Sequence, residues 1–262
     1  MSEVLRLMTV DDVPAALQLS TEAGWNQTAD DWRMLLELSP EGCFAIQAAQ
    51  TLAATTTLIC YGQELAWIGM VLTARQYQGR GFARRLLQAA LAQAEQRRIG
   101  SVKLDATDQG RPLYEKMGFR FEQSVQRWMR PGSLAFARNG LPAGESINDS
   151  LAAHRTQLWN KLAARNQPFR LGRSRLFTRA GRQAAYLGPA VCASPEVARS
   201  LFQWALGSSA WYWDLLPLNT DAVALAQELG FSLQRELSRM VRGKDLRGKE
   251  DEIYAIAGFE LG

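Results

Sequence analysis

Histidine is almost missing from this 262-residue chain and cysteine is scarce: there is one histidine, His154, and three cysteines, Cys43, Cys60 and Cys192. The thiols are widely spaced, with no C-x-x-C pair and no Cys/His grouping, which excludes a disulfide framework and a zinc site; no metal is expected. His154 sits in a helical pattern with Leu151, Leu158 and Leu162 and reads as a packing or surface residue. With no second histidine, a Ser-His-Asp hydrolase has little to work with. No apolar run approaches the ~18 residues of a membrane span, and the first residues lack the basic start and long apolar segment of a secretion signal. No membrane contact is expected, and the cytoplasm is the expected location. Charge is not one-sided either, since 30 Lys and Arg against 26 Asp and Glu leave a formal +4. What the chain does have is 47% apolar residues, enough to bury one large core or two smaller ones.

Glycine is concentrated where it matters in Gln78-Gly79-Arg80-Gly81-Phe82-Ala83. Upstream, Leu65 to Leu72 is an apolar run of strand length. Downstream, Leu86, Leu87, Ala90, Leu91 and Ala94 recur at helical spacing. A strand, a glycine turn and a helix N-terminus together make an anion cradle: small residues let the backbone come close, the first-turn amides are free, and the helix dipole favours negative charge. Two phosphate motifs are excluded. Gly81 is followed by Phe82 and Ala83 rather than Lys-Ser/Thr, and Arg84 occupies the third glycine position of a dinucleotide fingerprint. The remaining pattern, Gln-x-x-Gly-x-Ala, resembles the GNAT superfamily of acyl-CoA-dependent N-acetyltransferases.

A second segment, Leu113-Tyr114-Glu115-Lys116-Met117-Gly118-Phe119, is similar to the GNAT signature in which a tyrosine lies four residues before a Gly-Phe pair. The resemblance implies that acetyl-CoA is the co-substrate, with its pyrophosphate on Gln78, Gly79, Arg80, Gly81, Phe82, Ala83 and Arg84 and its pantetheine arm along the backbone of Val71, Leu72 and Thr73. A nearby amide would polarise the thioester carbonyl. Tyr114 would protonate the departing thiolate, a task suited to a phenol with pKa ~10 in a dry pocket. Trp25 and Asn26, between the first two helices, match the region that lines the amine acceptor. Many family members carry Asn seven residues before the tyrosine; this chain has Thr107, so contacts of that Asn are not carried over. Glu64 and Asp105 are both conceivable bases for the amine, and no motif chooses between them.

The pattern then recurs. Ala66-Trp67-Ile68-Gly69-Met70-Val71 is echoed by Ala185-Tyr186-Leu187-Gly188-Pro189-Ala190, and the helix from Phe82 by one from Glu196 to Leu206. The strand ending in Asp105 and the helix closed by Gly118-Phe119 are echoed by Trp211 to Leu215 and a helix closed by Gly230-Phe231. The expected fold class is therefore α/β, two tandem GNAT folds, each a mixed, mostly antiparallel sheet flanked by helices. Residues 1–132 would form the catalytic domain, 133–147 the linker, and 148–262 a degenerate copy. In the second copy only Ala193-Ser194-Pro195 stands where the first has its glycine loop, and Ala226 matches Tyr114, so the chemistry is assigned to the first. The second copy would wall the acceptor cleft or take the place of a dimer partner, making a monomer the expected state.

The first copy reads in the order β, α, α, β, β, β, α, β, α, β, β, with Gly100 ending its long helix. From Ser150 to Pro195 seven arginines and one lysine occur with no Asp or Glu, a local +8. Such a stretch can attract an anionic acceptor or coenzyme phosphates; the plainer reading is a solvated helix and hairpin balanced by acidic surface elsewhere, with nucleic acid not expected as a partner. A noncatalytic acyl-CoA sensor and an interaction protein using Trp204, Trp211 and Trp213 remain as alternative readings. The amine acceptor itself, small molecule or peptide, is left open.

Overall fold

The computed structural model describes residues 3–132 and 155–262. The expected linker and His154 lie outside the described residues. The first half runs β1 (Glu3–Leu7), α1 (Val13–Glu22), α2 (Ala29–Leu38), β2 (Cys43–Ala48), β3 (Thr51–Tyr61), β4 (Leu65–Thr73), α3 (Phe82–Gln96), β5 (Ser101–Ala106), α4 (Arg111–Lys116) and β6 (Arg120–Arg130). The second runs α5 (Thr156–Arg165), β7 (Phe169–Leu171), β8 (Ser174–Arg179), β9 (Ala185–Val191), α6 (Pro195–Ala205), β10 (Trp211–Leu215), α7 (Thr220–Glu228), β11 (Ser232–Gly243) and β12 (Ile253–Ala255).

Local chemistry explains the helix boundaries. Thr28 and Asp31 form a capping box at the start of α2: Thr28 Oγ1 accepts from the Asp31 amide at 3.2 Å, and Asp31 accepts from the Thr28 amide at 2.8 Å. The apolar stripe of α3 (Phe82, Leu86, Leu87, Ala90, Leu91, Ala94) is buried against the sheet. Emptying one of those leucine sites costs about 2–5 kcal/mol. That helix stops at Gln96, not Gly100, because Arg98 turns left-handed (φ 57°) and Gly100 already leads into β5.

All the described strands join one sheet, ordered β1-β2-β3-β4-β5-β11-β6-β10-β9-β8-β7, with β12 added against β9. The order shows an exchange. β11, from the second half, pairs antiparallel with β5 of the first, while β6, from the first half, pairs antiparallel with β10 of the second. This corrects the expectation of two closing strands in the first half. A single long strand is present there, and the position beside β5 is filled by β11. One core is shared as well: Trp159, Leu162 and Phe177 pack with Trp32, Leu35 and Trp67. A second core lies under α3 and a third between α6, α7 and the β9–β10 strands.

Candidate functional site

β4 and β5 are parallel neighbours only from Leu65 to Trp67 and Ser101 to Lys103. Beyond that point they separate. The cause lies in β4, where Met70 and Val71 oppose the single Thr56 of β3, a bulge with Met70 at φ 50°. Thr55 Oγ1 donates to the Met70 carbonyl at 2.9 Å and Thr56 Oγ1 to the Gly69 carbonyl at 3.3 Å, holding the bulge in place. Because β5 turns its other edge to β11, the edge of β4 from Ile68 to Thr73 faces an open wedge. Val71, Leu72 and Thr73 all lie on it.

The glycine turn follows directly. Gly79 and Gly81 adopt φ 78° and 77°, and a Cβ built on either meets no protein atom within 4 Å. Gly81 caps α3, whose first regular bond runs from the Arg85 amide to the Gly81 carbonyl at 3.1 Å. The amides of Phe82, Ala83 and Arg84 are therefore outside the helical ladder. Gln78, Arg80 and Arg84 are exposed around this turn. Left-handed glycines facing empty space at a long helix's positive end fit a diphosphate, and a side chain at either position would project into that space.

Tyr114 lies on α4 beside the wedge. The Thr107 hydroxyl accepts from the Gly110 amide at 3.1 Å at the start of this helix, and Gly110 leaves room for the tyrosine ring, since a Cβ there would sit 2.9 Å from it. The ring packs edge-on to Phe119. Its hydroxyl has no hydrogen-bond partner among the described residues, and burial pushes the phenol up to about 12.

Tyr114, Met70, Val71 and Leu104 line one side of a cavity of about 440 Å³. Its other walls come from the α1–α2 loop (Trp25, Asn26, Gln27) and from the second half (Gln183, Tyr212, Arg235, Leu237, Phe259, Glu260). Asn26 is there, but its side chain is committed elsewhere. It donates to the Ala184 carbonyl at 2.7 Å and accepts from the amides of Gln183 and Ala184 at 2.6 and 3.1 Å, docking the loop onto the second half. Trp25 offers its carbonyl to Arg182 at 3.1 Å.

The two carboxylates named as conceivable bases are placed differently. Glu64 is exposed in the turn before β4, at the far end of that strand from Thr73. Asp105 belongs to the cavity region, but its side chain is fully covered and forked by Arg239 of β11 at 2.8 and 3.0 Å. Burial raises its carboxyl against the pull of that guanidinium.

The second half has the same wedge between β9 and β10, which pair in parallel only from Ala185 to Leu187. Here the chain fills it. β12 pairs with β9, the Cys192 amide donates to the Glu252 carbonyl and the Ile256 amide to the Asp214 carbonyl, each at 2.9 Å. Trp213 Nε1 donates to the Tyr254 carbonyl at 2.7 Å, and the Asn219 amide group holds the carbonyls of Glu250, Asp251 and Ile253. Sequence reasoning missed this strand because three residues carry no readable periodicity. Residues 259–261 then reach back into the first half, where Trp67 Nε1 donates to the Phe259 carbonyl at 2.9 Å and the Tyr61 hydroxyl to the Leu261 carbonyl at 2.8 Å.

Several cations of the basic stretch meet acids from other segments. Arg179 bridges Asp31 and Glu260, Lys161 and Arg165 meet Glu37, and Arg173 meets Glu252. No group of three or more metal-ligating side chains occurs among the described residues. Nor is any described helix long and apolar enough to cross a membrane.

Comparison with known proteins gives matches in both halves. The model of the acetyltransferase (GNAT) family matches residues 11–119, and that of an acetyltransferase (GNAT) domain matches residues 177–255. An uncharacterized N-acetyltransferase of Bacillus subtilis, YitH, is 29% identical over 118 residues, which are 45% of this chain and 41% of that protein. The aligned part thus spans less than half of that relative's length. A crystal structure of a Pyrococcus horikoshii protein superposes with a TM-score of 0.80 at 21% identity, over 99% of this chain and 96% of that one. A GCN5-related N-acetyltransferase from Sphaerobacter thermophilus superposes at 0.66 and 12% identity, over 92% and 95%. At such identities the superpositions establish the shared fold.

Proposed function

The chain belongs to the GNAT acetyltransferases as two such folds in tandem, and from that premise we propose that it transfers an acetyl group from acetyl-CoA to an amine, with the first fold carrying the chemistry. The observation that supports this division is the contrast between the wedges: the one at β4 is open and ends in the glycine turn, whereas the one at β9 is closed by β12.

In this reading the amides from Gly79 to Arg84 bind the diphosphate, with Arg80 and Arg84 adding positive charge. The β4 edge at Val71, Leu72 and Thr73 takes the pantetheine arm, which brings the thioester to the bulge beside the cavity. An amide freed by that bulge polarises the thioester carbonyl. The lone pair of the neutral amine attacks the carbonyl carbon, the carbon–sulfur bond breaks, the sulfur takes the proton of the Tyr114 hydroxyl, and the proton shed by the new amide nitrogen passes to water, from which the phenolate is reprotonated. Burial that raises the phenol to about 12 keeps it protonated until the thiolate forms, and the same dry surroundings raise the basicity of that thiolate, which is the condition for the proton to pass. The second half supplies the far wall of the acceptor cavity, and its place beside β6 and β5 is where a dimer partner would otherwise stand. The cytoplasm is the location we propose, as the compartment that supplies acetyl-CoA.

Thiol release by the full chain with acetyl-CoA and a panel of amines tests this directly. Turnover with at least one amine, and its loss in Tyr114→Phe, are the expected results. Binding of acetyl-CoA without transfer to any amine, and with no effect of Tyr114→Phe, would favour the sensor reading. No binding of any acyl-CoA by calorimetry would refute the proposal outright.

A further inference from the structure

Resting on the acetyltransferase reading, we propose that the acceptor is a small amine that also carries a carboxylate, the carboxylate bound by Arg235 and the amine end hydrogen-bonded to Gln27.

Arg235 stands on β11 with its side chain on the cavity wall, half-buried. The other charged side chains around the cavity are matched. Arg127 forks onto Asp214 at 2.7 and 2.6 Å and is boxed by Tyr186, Tyr212 and Phe259. Asp105 is forked by Arg239, and Glu260 is held by Arg179. Arg235 alone has no ion pair or hydrogen bond among the described residues. Burial and the neighbouring Arg127 both disfavour its charge and Asp214, forked onto Arg127, offsets this only in part, so the site gains from an anion that would enter with the ligand.

The accessible sign of charge agrees. The side chains of Asp105, Asp214 and Glu260 are 0%, 1% and 4% exposed, beneath the arginines that cover them, whereas Arg127 keeps 10%. A ligand entering the cavity therefore meets guanidinium groups rather than carboxylates. A diamine or polyamine would be repelled by this wall; a carboxylate would be attracted.

Gln27 supplies the second recognition point. It is 4% exposed, it lines the cavity, and its Oε1 has no hydrogen-bond partner. Its neighbour Asn26 spends its own amide on fixing the loop, whereas Gln27, also on the cavity wall, keeps an unused acceptor. An amine donates hydrogens, so the two unused groups ask for opposite ends of one molecule. Gln27 comes from the first half and Arg235 from the second, and the cavity that both line, about 440 Å³, suits a small ligand.

The test uses the full chain and two series of probes. ω-Amino acids from glycine to 6-aminohexanoate, together with L-amino acids, are each compared with the corresponding primary amide. Thiol release with acetyl-CoA gives kcat/KM, and calorimetry in saturating CoA gives affinity. At least one acid is expected to exceed its amide by about 10–100-fold, the usual worth of a hydrogen-bonded charge pair. In Arg235→Gln the preference should fall below about 3-fold through KM, with Arg235→Lys keeping part of it. The variants' thermal midpoints and CoA affinities report folding and an intact co-substrate site. Amides equal to or better than every acid, or a preference that survives Arg235→Gln, would overturn the proposal. Turnover of those amides would in that case leave the acetyltransferase reading standing. Absence of acyl-CoA binding would overturn both.

Discussion

Replacing Arg239 by methionine probes the exchanged sheet through one buried contact. Arg239 is on β11 and Asp105 on β5, in direct register across the two halves. Two hydrogen bonds of 2.8 and 3.0 Å join them, their side chains are 6% and 0% exposed, and the guanidinium lies 4.6 Å from the centre of the Trp67 ring. Removing one partner of such a pair leaves a buried charge and costs about 3–5 kcal/mol. With a urea m-value of about 3 kcal/mol/M for a single cooperative unit, the midpoint should drop by about 1–1.7 M. Asp105→Asn combined with Arg239→Met should recover at least half of that, because no lone charge remains. The loss should also depend on pH. Burial already raises the Asp105 carboxyl, and Arg239 is the group that opposes the rise. Without it the folded pKa lies further above the unfolded value, so the folded state binds the proton more tightly. That contribution is fully present below the unfolded pKa and is lost as pH rises through the folded one; the deficit of Arg239→Met should narrow between pH 8 and 5.5. Urea unfolding followed by tryptophan fluorescence and far-ultraviolet circular dichroism reads both effects. A midpoint shift under about 0.3 M, a deficit that widens in acid, or separate transitions for the two halves would refute this reasoning.

Tyr114→Phe should lower kcat by about 100-fold or more, with little change in thermal midpoint because its hydroxyl makes no hydrogen bond among the described residues. Since burial holds that phenol near 12, the wild-type rate should show no basic limb from it between pH 8 and 10. Gly81→Val should weaken acetyl-CoA binding at least ~10-fold by calorimetry, because a β-branched residue at φ 77° is strained and its side chain enters the diphosphate space. Its cost in stability should be about 1–3 kcal/mol by urea unfolding. Asn219→Ala removes the cap of α7 and the anchor of the β12 segment; about 2–3 kcal/mol of stability should go, while the CoA stoichiometry stays at one per chain.

Much of this architecture is legible in local pattern. The spacing of Leu86, Leu87, Ala90, Leu91 and Ala94 gives α3, and the run from Leu65 gives β4, because amphipathic period and strand length are properties of neighbouring residues. The glycine turn is likewise readable, since φ near +78° at Gly79 and Gly81 has a residue-type signature. What escaped is long-range. Nothing near Arg120 says that β6 will pair with β10 while β11 takes the place beside β5. Nothing in Ile253–Ala255 says that it will close the second wedge. At the cavity, Trp25 and Asn26 were identified by position, yet Asn26 is occupied in docking the loop, and Gln27 beside it has the unused acceptor. Arg235 left one signal that was overlooked. With Leu237 and Arg239 it falls on alternate positions of a strand, and an arginine on the inward, apolar face of a strand calls for a partner.

The most direct test of the central claim is a crystal structure of the full chain with acetyl-CoA. The diphosphate should lie on the amides from Gly79 to Arg84 and the thioester in the wedge beyond Trp67, within reach of Tyr114, with β12 still seated on β9. Acetyl-CoA found between β9 and β10 with β12 displaced, or bound away from both wedges, would contradict the account.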